Sequence, residues 1–196
     1  SIFTDLFDYL VLAAVIDNTL FCVHGGLSPN VQTLDSINVI DRFKEIPHDG
    51  PMADLMWSDP DIELLNFRIS SRGAGYQFGI NVVNKFLQNN KFERIYRAHQ
   101  LCNEGYQVFW KGKVNTVWSA PNYCYRCGNK ASILEIFDDS KNGFRFNVFD
   151  ASPDSENELL TLDQECNNIG FSNGLDGYNP DDLKLNKKAP YVEYFM

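Results

Sequence analysis

No stretch of this chain is apolar for long enough to cross a bilayer as a helix. Its longest unbroken apolar run, Leu10 to Ile16, falls far short of the roughly 20 residues a spanning helix needs. No basic segment precedes an apolar core either, so the pattern of a secretory leader is missing and neither secretion nor membrane insertion is expected. Positive charge is scarce: 17 lysines and arginines stand against 26 acidic residues, a formal charge of −9. Such a balance denies the chain the electrostatic footprint that a nucleic-acid backbone demands, so any phosphate it handles must be held by a few placed cations. Paired cysteine is lacking too. Five cysteines without the even spacing of a small secreted scaffold fit free thiols in a reducing, intracellular compartment. There is no internal repeat, heptad or low-complexity tract.

What is present suits one globular domain. The 196 residues are 44% hydrophobic and 14% aromatic, enough for a sizeable core. The acidity is concentrated at one end, since residues 154–196 hold nine acids against three lysines. The reading is therefore a domain over 1–153 followed by an acidic, flexible tail over 154–196 with an apolar end, Tyr191-Val-Glu-Tyr-Phe-Met196.

Apolar residues at 2, 3, 6, 7, 10 and 11 predict an amphipathic opening helix. Thr19-Leu-Phe-Cys-Val23 reads as a buried strand that breaks into the glycine turn His24-Gly-Gly-Leu-Ser28. Residues 47 to 60 read as loop, with helical periodicity from Tyr76 to Leu87. Arg94–Ala98 reads as a strand carrying His99 at its end. Strands are also expected at Tyr106–Trp110 and Val114–Ser119, with a hairpin from Ala131–Phe137 to Phe144–Phe149.

Two of the three histidines, His24 and His99, end expected strands, where rigid sheets commonly present functional groups. Neutral imidazole is the commonest side-chain ligand for transition metals, so both are candidate ligands of one ion. Standing 75 residues apart they show no metal-site spacing, and taken alone each reads as a hydrogen-bonded structural histidine ahead of a ligand. His48, between Pro47 and Asp49, reads as a turn residue. Ser70-Ser-Arg-Gly-Ala-Gly-Tyr76 sets a guanidinium beside two glycines at the expected start of a helix. Its planar fork matches phosphate oxygens two at a time, although a salt-bridging surface Arg72 fits the same residues. Cys124 and Cys127 have Cys-x-x-Cys spacing, but no second pair completes a zinc site and a strand rather than a redox-motif helix follows. They read as free thiols in a loop.

Taken in order, five segments resemble the serine/threonine phosphoprotein phosphatase family: Phe21-Cys-Val-His-Gly-Gly-Leu-Ser-Pro29, Leu55-Met-Trp-Ser-Asp-Pro60, Ser71-Arg-Gly-Ala-Gly-Tyr76, Arg97-Ala-His-Gln100 with Glu104-Gly-Tyr106, and Ser119-Ala-Pro-Asn-Tyr-Cys-Tyr-Arg-Cys-Gly-Asn129. The Tyr-Cys-Tyr-Arg-Cys-Gly-Asn string points to the type 2A-like branch. Within it, Phe21-Cys-Val-His24, Pro47-His-Asp-Gly-Pro51 and Val117-Trp-Ser-Ala-Pro121 look most like the protein phosphatase 4 catalytic subunits, including fungal forms, with types 2A and 6 as close alternatives. The resemblance covers residues 2 to 153 and the C-terminal part of the family domain only.

The resemblance implies an α/β metallophosphoesterase fold, a β-sandwich of mixed sheets flanked by helices, and hydrolysis of phosphoserine and phosphothreonine in proteins. It implies two divalent ions (manganese, iron or zinc), with His24 and His99 as ligands of one of them. Arg72 would hold the substrate phosphate, and Trp57, Leu101, Tyr123 and Cys127 would line the groove around the metals. Implied partners are phosphoprotein substrates and the regulatory or scaffold subunits of a type 2A-like phosphatase, in cytoplasm and nucleus. Three features depart from the family. Its Gly-Asp-x-His-Gly, Gly-Asp-x-x-Asp-Arg-Gly and Gly-Asn-His-Glu motifs, which supply the other ligands and the catalytic histidine, do not occur here. Phe67-Arg68 and Ser71 replace a Trp-Gly step and a proline, adding a cation near the groove. The chain closes with Tyr194-Phe-Met196 where the branch has a methylated Tyr-Phe-Leu end. This chain alone is therefore expected to be inactive. The rival readings are a non-catalytic interaction module that binds regulatory subunits and a two-metal phosphodiesterase acting on nucleotides.

Overall fold

The computed structural model describes residues 2–137 and 143–153. The expected acidic tail over 154–196 and all but Gly143 of the hairpin turn expected over 138–143 lie outside the described residues.

Short apolar, β-branched runs form the central sheet. β1 (Ala13–Ile16), β2 (Leu20–Val23), β6 (Arg94–Arg97), β7 (Tyr106–Phe109) and β8 (Val114–Val117) are ordered β1-β2-β6-β8-β7. β2, β6 and β8 run parallel, while β1 and β7 close the two sides antiparallel, so the sheet is mixed as expected. A second sheet is the hairpin of β9 (Ala131–Ile136) and β10 (Phe144–Phe149). It lies on one face of the central sheet, where Tyr106 of β7 stacks on Phe146 of β10 with ring centroids 4.2 Å apart. Arg94 of β6 covers the Phe144 ring at 4.6 Å.

The opposite face holds the core. Phe21, Ile95 and Val114 are fully buried beside Val83, Phe86 and Leu87 of α4 (Ile80–Asn90). Four asparagines and two valines give α4 weak intrinsic propensity, so burial of its apolar face sustains it, each such side chain contributing about 1.5–3 kcal/mol. Asn90 fastens its end: Oδ1 accepts from Leu34 N (2.8 Å), and Nδ2 donates to Gln32 O (3.0 Å) and Phe86 O (2.8 Å).

Three segments differ from the sequence reading. The opening pattern forms a helix, α1, only over Ile2–Phe7. The expected loop at 47–60 contains α3 (Pro51–Trp57), which begins with proline at its first turn after Gly50 (φ +90°). The expected helix from Tyr76 starts instead at Ile80. Residues 76–78 are β5 (Tyr76–Phe78), the middle strand of a small sheet with β3 (Asp59–Pro60) and β4 (Phe67–Ile69). The remaining helix, α2 (Leu34–Asn38), packs Ile37 into the core.

Candidate functional site

β2 and β6 are parallel neighbours, so both end on the same side of the sheet and deliver the residues that follow them to one place. Ala98 N donates to His24 O at 3.0 Å, continuing the alignment beyond the strands. His24 Nε2 and His99 Nδ1 consequently stand 3.2 Å apart. His99 holds a left-handed backbone (φ +65°), an uncommon conformation for a residue with a side chain and one that clusters at functional sites. Sequence reasoning named both histidines, and the fold brings them together across 75 residues.

The glycines after His24 have a steric purpose. A Cβ on Gly25 would lie 2.5 Å from the Met56 backbone, and Gly25 N and Gly26 N both donate to Leu55 O, at 2.9 and 3.2 Å. The turn is thereby pressed against the end of α3, which places Trp57 edge-on to His99 with ring centroids 5.3 Å apart. Gly25→Ala is expected to push α3 from the turn and destabilise the chain by about 1–3 kcal/mol, a loss to be read from thermal or urea unfolding.

Behind the histidines lies a charged cluster that the sequence reading missed. Arg97, the last residue of β6, has a fully buried side chain. Its Nη2 donates to Asp59 Oδ1 at 2.9 Å and to Ser58 O at 3.3 Å. Its Nη1 reaches Gln100 Oε1 at 2.9 Å and Thr116 Oγ1 at 3.3 Å, and Nε donates to Gly25 O. The second oxygen of Asp59, Oδ2, accepts from Arg72 Nε at 2.6 Å. One carboxylate thus orients two guanidiniums, one buried and one partly exposed.

Arg72 does not begin a helix, as the sequence had suggested. It sits in the turn between β4 and β5, where Gly73 and Gly75 have positive φ. A Cβ on Gly75 would meet Ser58 N at 2.9 Å, so the turn lies directly against the segment that carries Asp59. Arg68, expected to add a cation near the groove, donates to Asp61 and Gln77, both at 2.9 Å.

Burial and the nearby arginines decide protonation. His99 is lowered to about 4, chiefly by burial, with Arg97, Arg72 and His24 lowering it further against the opposing pull of Asp59. His24 is lowered by burial and by Arg97. Both imidazoles are neutral near pH 7, the form that offers a lone pair to a metal. Arg97, lowered by burial to about 10, remains charged there.

The donor set fits part of a metal site. At 3.2 Å apart, the two ring nitrogens can both reach one ion at the usual ~2.0–2.1 Å bond length. Among the described residues His99 Nε2 is buried without a hydrogen-bond partner and faces Asp59 Oδ1 at 4.0 Å, the carboxylate toward which its N–H would point if Nδ1 ligated an ion. Asp59 is occupied by the arginines, and no group of three or more histidine, cysteine, aspartate or glutamate side chains able to hold a metal occurs among the described residues.

The other expected groove residues lie on exposed surfaces. Leu101 follows His99 by two positions, and Tyr123, against Trp118 with centroids 4.9 Å apart, and Cys127 belong to the loop after β8. That loop is sharply bent, with positive φ at Asn122, Cys124 and Tyr125. Asn129 braces it: its Oδ1 accepts from Tyr123 N at 2.8 Å, while Nδ2 donates to Ala120 O at 2.9 Å and Lys130 O at 2.8 Å. Cys124 and Cys127 are free thiols, as expected.

Comparison with known proteins agrees with this geometry. Residues 1–103 match the family model described as calcineurin-like phosphoesterase. The chain is 64% identical over 168 residues to the Saccharomyces cerevisiae serine/threonine-protein phosphatase PP2A-like PPG1, covering 80% of this chain and 45% of that protein. It is 53% identical over 161 residues to a protein phosphatase 2A catalytic subunit of Dictyostelium discoideum, covering 82% of this chain and 51% of that one. Among solved structures it resembles a Saccharomyces cerevisiae protein serine/threonine phosphatase similar to human phosphatase PP5. That match has a TM-score of 0.69 and 36% identity, over 76% of this chain and 50% of that one. The chain spans about half the length of the curated relatives it matches.

Proposed function

This chain belongs to the calcineurin-like phosphoesterase family and, within it, to the type 2A-like serine/threonine phosphatases, and from that premise we propose that it forms the C-terminal part of a catalytic subunit that hydrolyses phosphoserine and phosphothreonine in proteins. The observation that carries the reading is the convergence of His24, His99 and Arg72 around one carboxylate, Asp59. Divalent metal ions, manganese, iron or zinc, would supply an activated water and polarise the phosphoryl oxygens. His24 through Nε2 and His99 through Nδ1 would hold one of them.

Arg72 receives the substrate phosphate. Its Nε is fixed by Asp59, and the same planar fork donates to phosphoryl oxygens, whose growing charge it offsets in the transition state. Asp59 aims that fork, and Arg97 keeps Asp59 in place. Trp57 braces the His99 ring, while Leu101, Tyr123 and Cys127 form the groove that excludes water and reads the residues flanking the phosphate.

Two imidazoles make a partial ligand set, whereas a catalytic ion commonly has three protein ligands. By itself, therefore, the chain is inactive, and the remaining ligands come from the part of the relatives that it does not span. The same reading carries the likeness to protein phosphatase 4, a cytoplasmic and nuclear location, and association with regulatory or scaffold subunits.

The test is a single-chain fusion of this sequence to the portion of the Saccharomyces cerevisiae relative outside the match. Loaded with manganese, it is expected to release phosphate from a phosphothreonine peptide, to lose that activity with a chelator, and to leave a cyclic nucleotide intact. Turnover of the cyclic nucleotide in preference to the peptide would contradict the proposal.

A further inference from the structure

One face of the small sheet carries a second guanidinium beside that of Arg72. Asp59 of β3, Gln77 of β5 and Arg68 of β4 are lateral partners across the three strands, so their side chains point to the same side. The 2.9 Å bond from Arg68 Nε to Gln77 Oε1 lies along that row. Asp61, two positions after Asp59, returns to the same face by strand alternation and accepts from Arg68 Nη2 at 2.9 Å. The arrangement at Asp59 is thereby repeated. Each carboxylate gives one oxygen to an arginine of the β4–β5 hairpin, Asp59 to Arg72 and Asp61 to Arg68. Each fills its other oxygen from elsewhere, Asp59 from Arg97 and Asp61 from Glu63 N, both at 2.9 Å. Arg68 is the more open of the two arginines, with a side chain 56% exposed, and its Nη1 has no partner among the described residues. A surface ion pair ordinarily leaves a long side chain loose. This guanidinium is instead fixed in its plane at two of its three nitrogens, which leaves the donors of the third for a ligand.

Two strand spacings of about 4.8 Å set the Cα of Arg68 about 10 Å from that of Asp59, the residue that fixes Arg72. An extended peptide advances about 3.3 Å per residue, so one whose phosphate lies on Arg72 brings its second or third neighbour to Arg68. We propose that Arg68 is a specificity residue: it receives an anionic side chain, a carboxylate or a second phosphate, two or three positions from the phosphoresidue held by Arg72. The preferred substrates are then acidic or multiply phosphorylated sites, and a basic neighbour is repelled by the same guanidinium. The inference rests on the reading of Arg72 as the seat of the phosphate.

Binding and turnover of phosphothreonine peptides with glutamate, phosphoserine, alanine or lysine at the second and third flanking positions test this, on the manganese-loaded fusion at low salt. Binding is read with non-hydrolysable phosphonate versions of the same peptides. The glutamate peptide is expected to bind about fivefold more tightly than the alanine peptide, between the worth of an exposed ion pair and that of a positioned charged hydrogen bond. The phosphoserine peptide should bind at least as tightly, and the lysine peptide more weakly than alanine. In turnover the preference should fall on KM rather than kcat. Arg68→Ala should bring the glutamate and alanine peptides level, and Arg68→Glu should reverse the order, in variants shown by urea unfolding to be folded. The same order of binding, at lower affinity, is expected for the chain alone, because both arginines belong to it. A preference confined to phosphoserine would narrow the class to multiply phosphorylated sites. Equal binding of all four peptides, or a preference that survives Arg68→Glu, would overturn the proposal and leave Arg68 as a surface partner of Asp61. Binding needs no turnover, so a fusion that prefers the glutamate peptide through Arg68 yet releases no phosphate would contradict the proposed reaction and keep this recognition. Turnover without preference would do the reverse.

Discussion

Replacing Asp59 with alanine is expected to destabilise this chain by about 3–5 kcal/mol, because it leaves the Arg97 guanidinium buried without its counter-charge. The Arg97 side chain is 0% exposed and that of Asp59 6%, so solvent cannot compensate. Since whole domains are stable by only about 5–15 kcal/mol, the variant should unfold at markedly lower urea. Pairing Asp59→Ala with Arg97→Met should cost less than the sum of the two single changes, because the second removes the charge that the first strands. Equal and additive losses would show that the pair is not the buried ionic unit described here. The same carboxylate also accepts from Arg72, the residue proposed to hold the phosphate.

The second large effect is expected at Arg72. In the fusion, Arg72→Ala should lower kcat/KM for a phosphopeptide by about 10²–10³, the usual loss when one positioned donor to the developing charge is removed. Arg72→Lys should restore little, because an ammonium cannot donate to Asp59 and to the phosphate from one rigid plane. Some stability should be lost as well, since the Arg72 side chain is only 22% exposed and donates to Asp59, so turnover is to be compared on variants shown to be folded by urea unfolding. A small effect on turnover, or full rescue by lysine, would assign Arg72 to the surface salt bridge that its sequence also allowed.

How much of this was legible in the sequence depended on whether the signal was local. β2 and β6 were readable because short apolar runs ended at His24 and His99, and parallel pairing then did what no spacing rule could, bringing the two rings to 3.2 Å. The Asp59–Arg97 pair was not read. Asp59 lay in what looked like a Trp-Ser-Asp-Pro turn, and no local rule joins it to a residue 38 positions away. A signal did exist: Arg97 is a permanent cation in the strand Arg94-Ile-Tyr-Arg97, where a buried charge requires a partner. α3 is masked by the prolines in and around it, Pro47, Pro51 and Pro60, although Gly50-Pro51 with Asp54 in the first turn is a helix-start pattern. Tyr76–Leu87 has continuous helical periodicity, which makes Arg72 read as a residue at a helix start. In the structure Tyr76–Phe78 is a strand between β3 and β4, and Gly79 stands before α4. The exposure of α1 was invisible to periodicity, which shows that a face is apolar and not what covers it.

Metal content and phosphopeptide turnover, measured on this chain and on the fusion with added manganese, test most directly whether the histidine pair is half of a working site. Little bound metal and no turnover are expected for the chain alone. For the fusion, stoichiometric metal and turnover are expected, both lost on His24→Ala or His99→Ala. Turnover by the chain alone that depended on Arg72 would contradict this, because a working site would then assemble from two histidines without the ligands assigned to the other half.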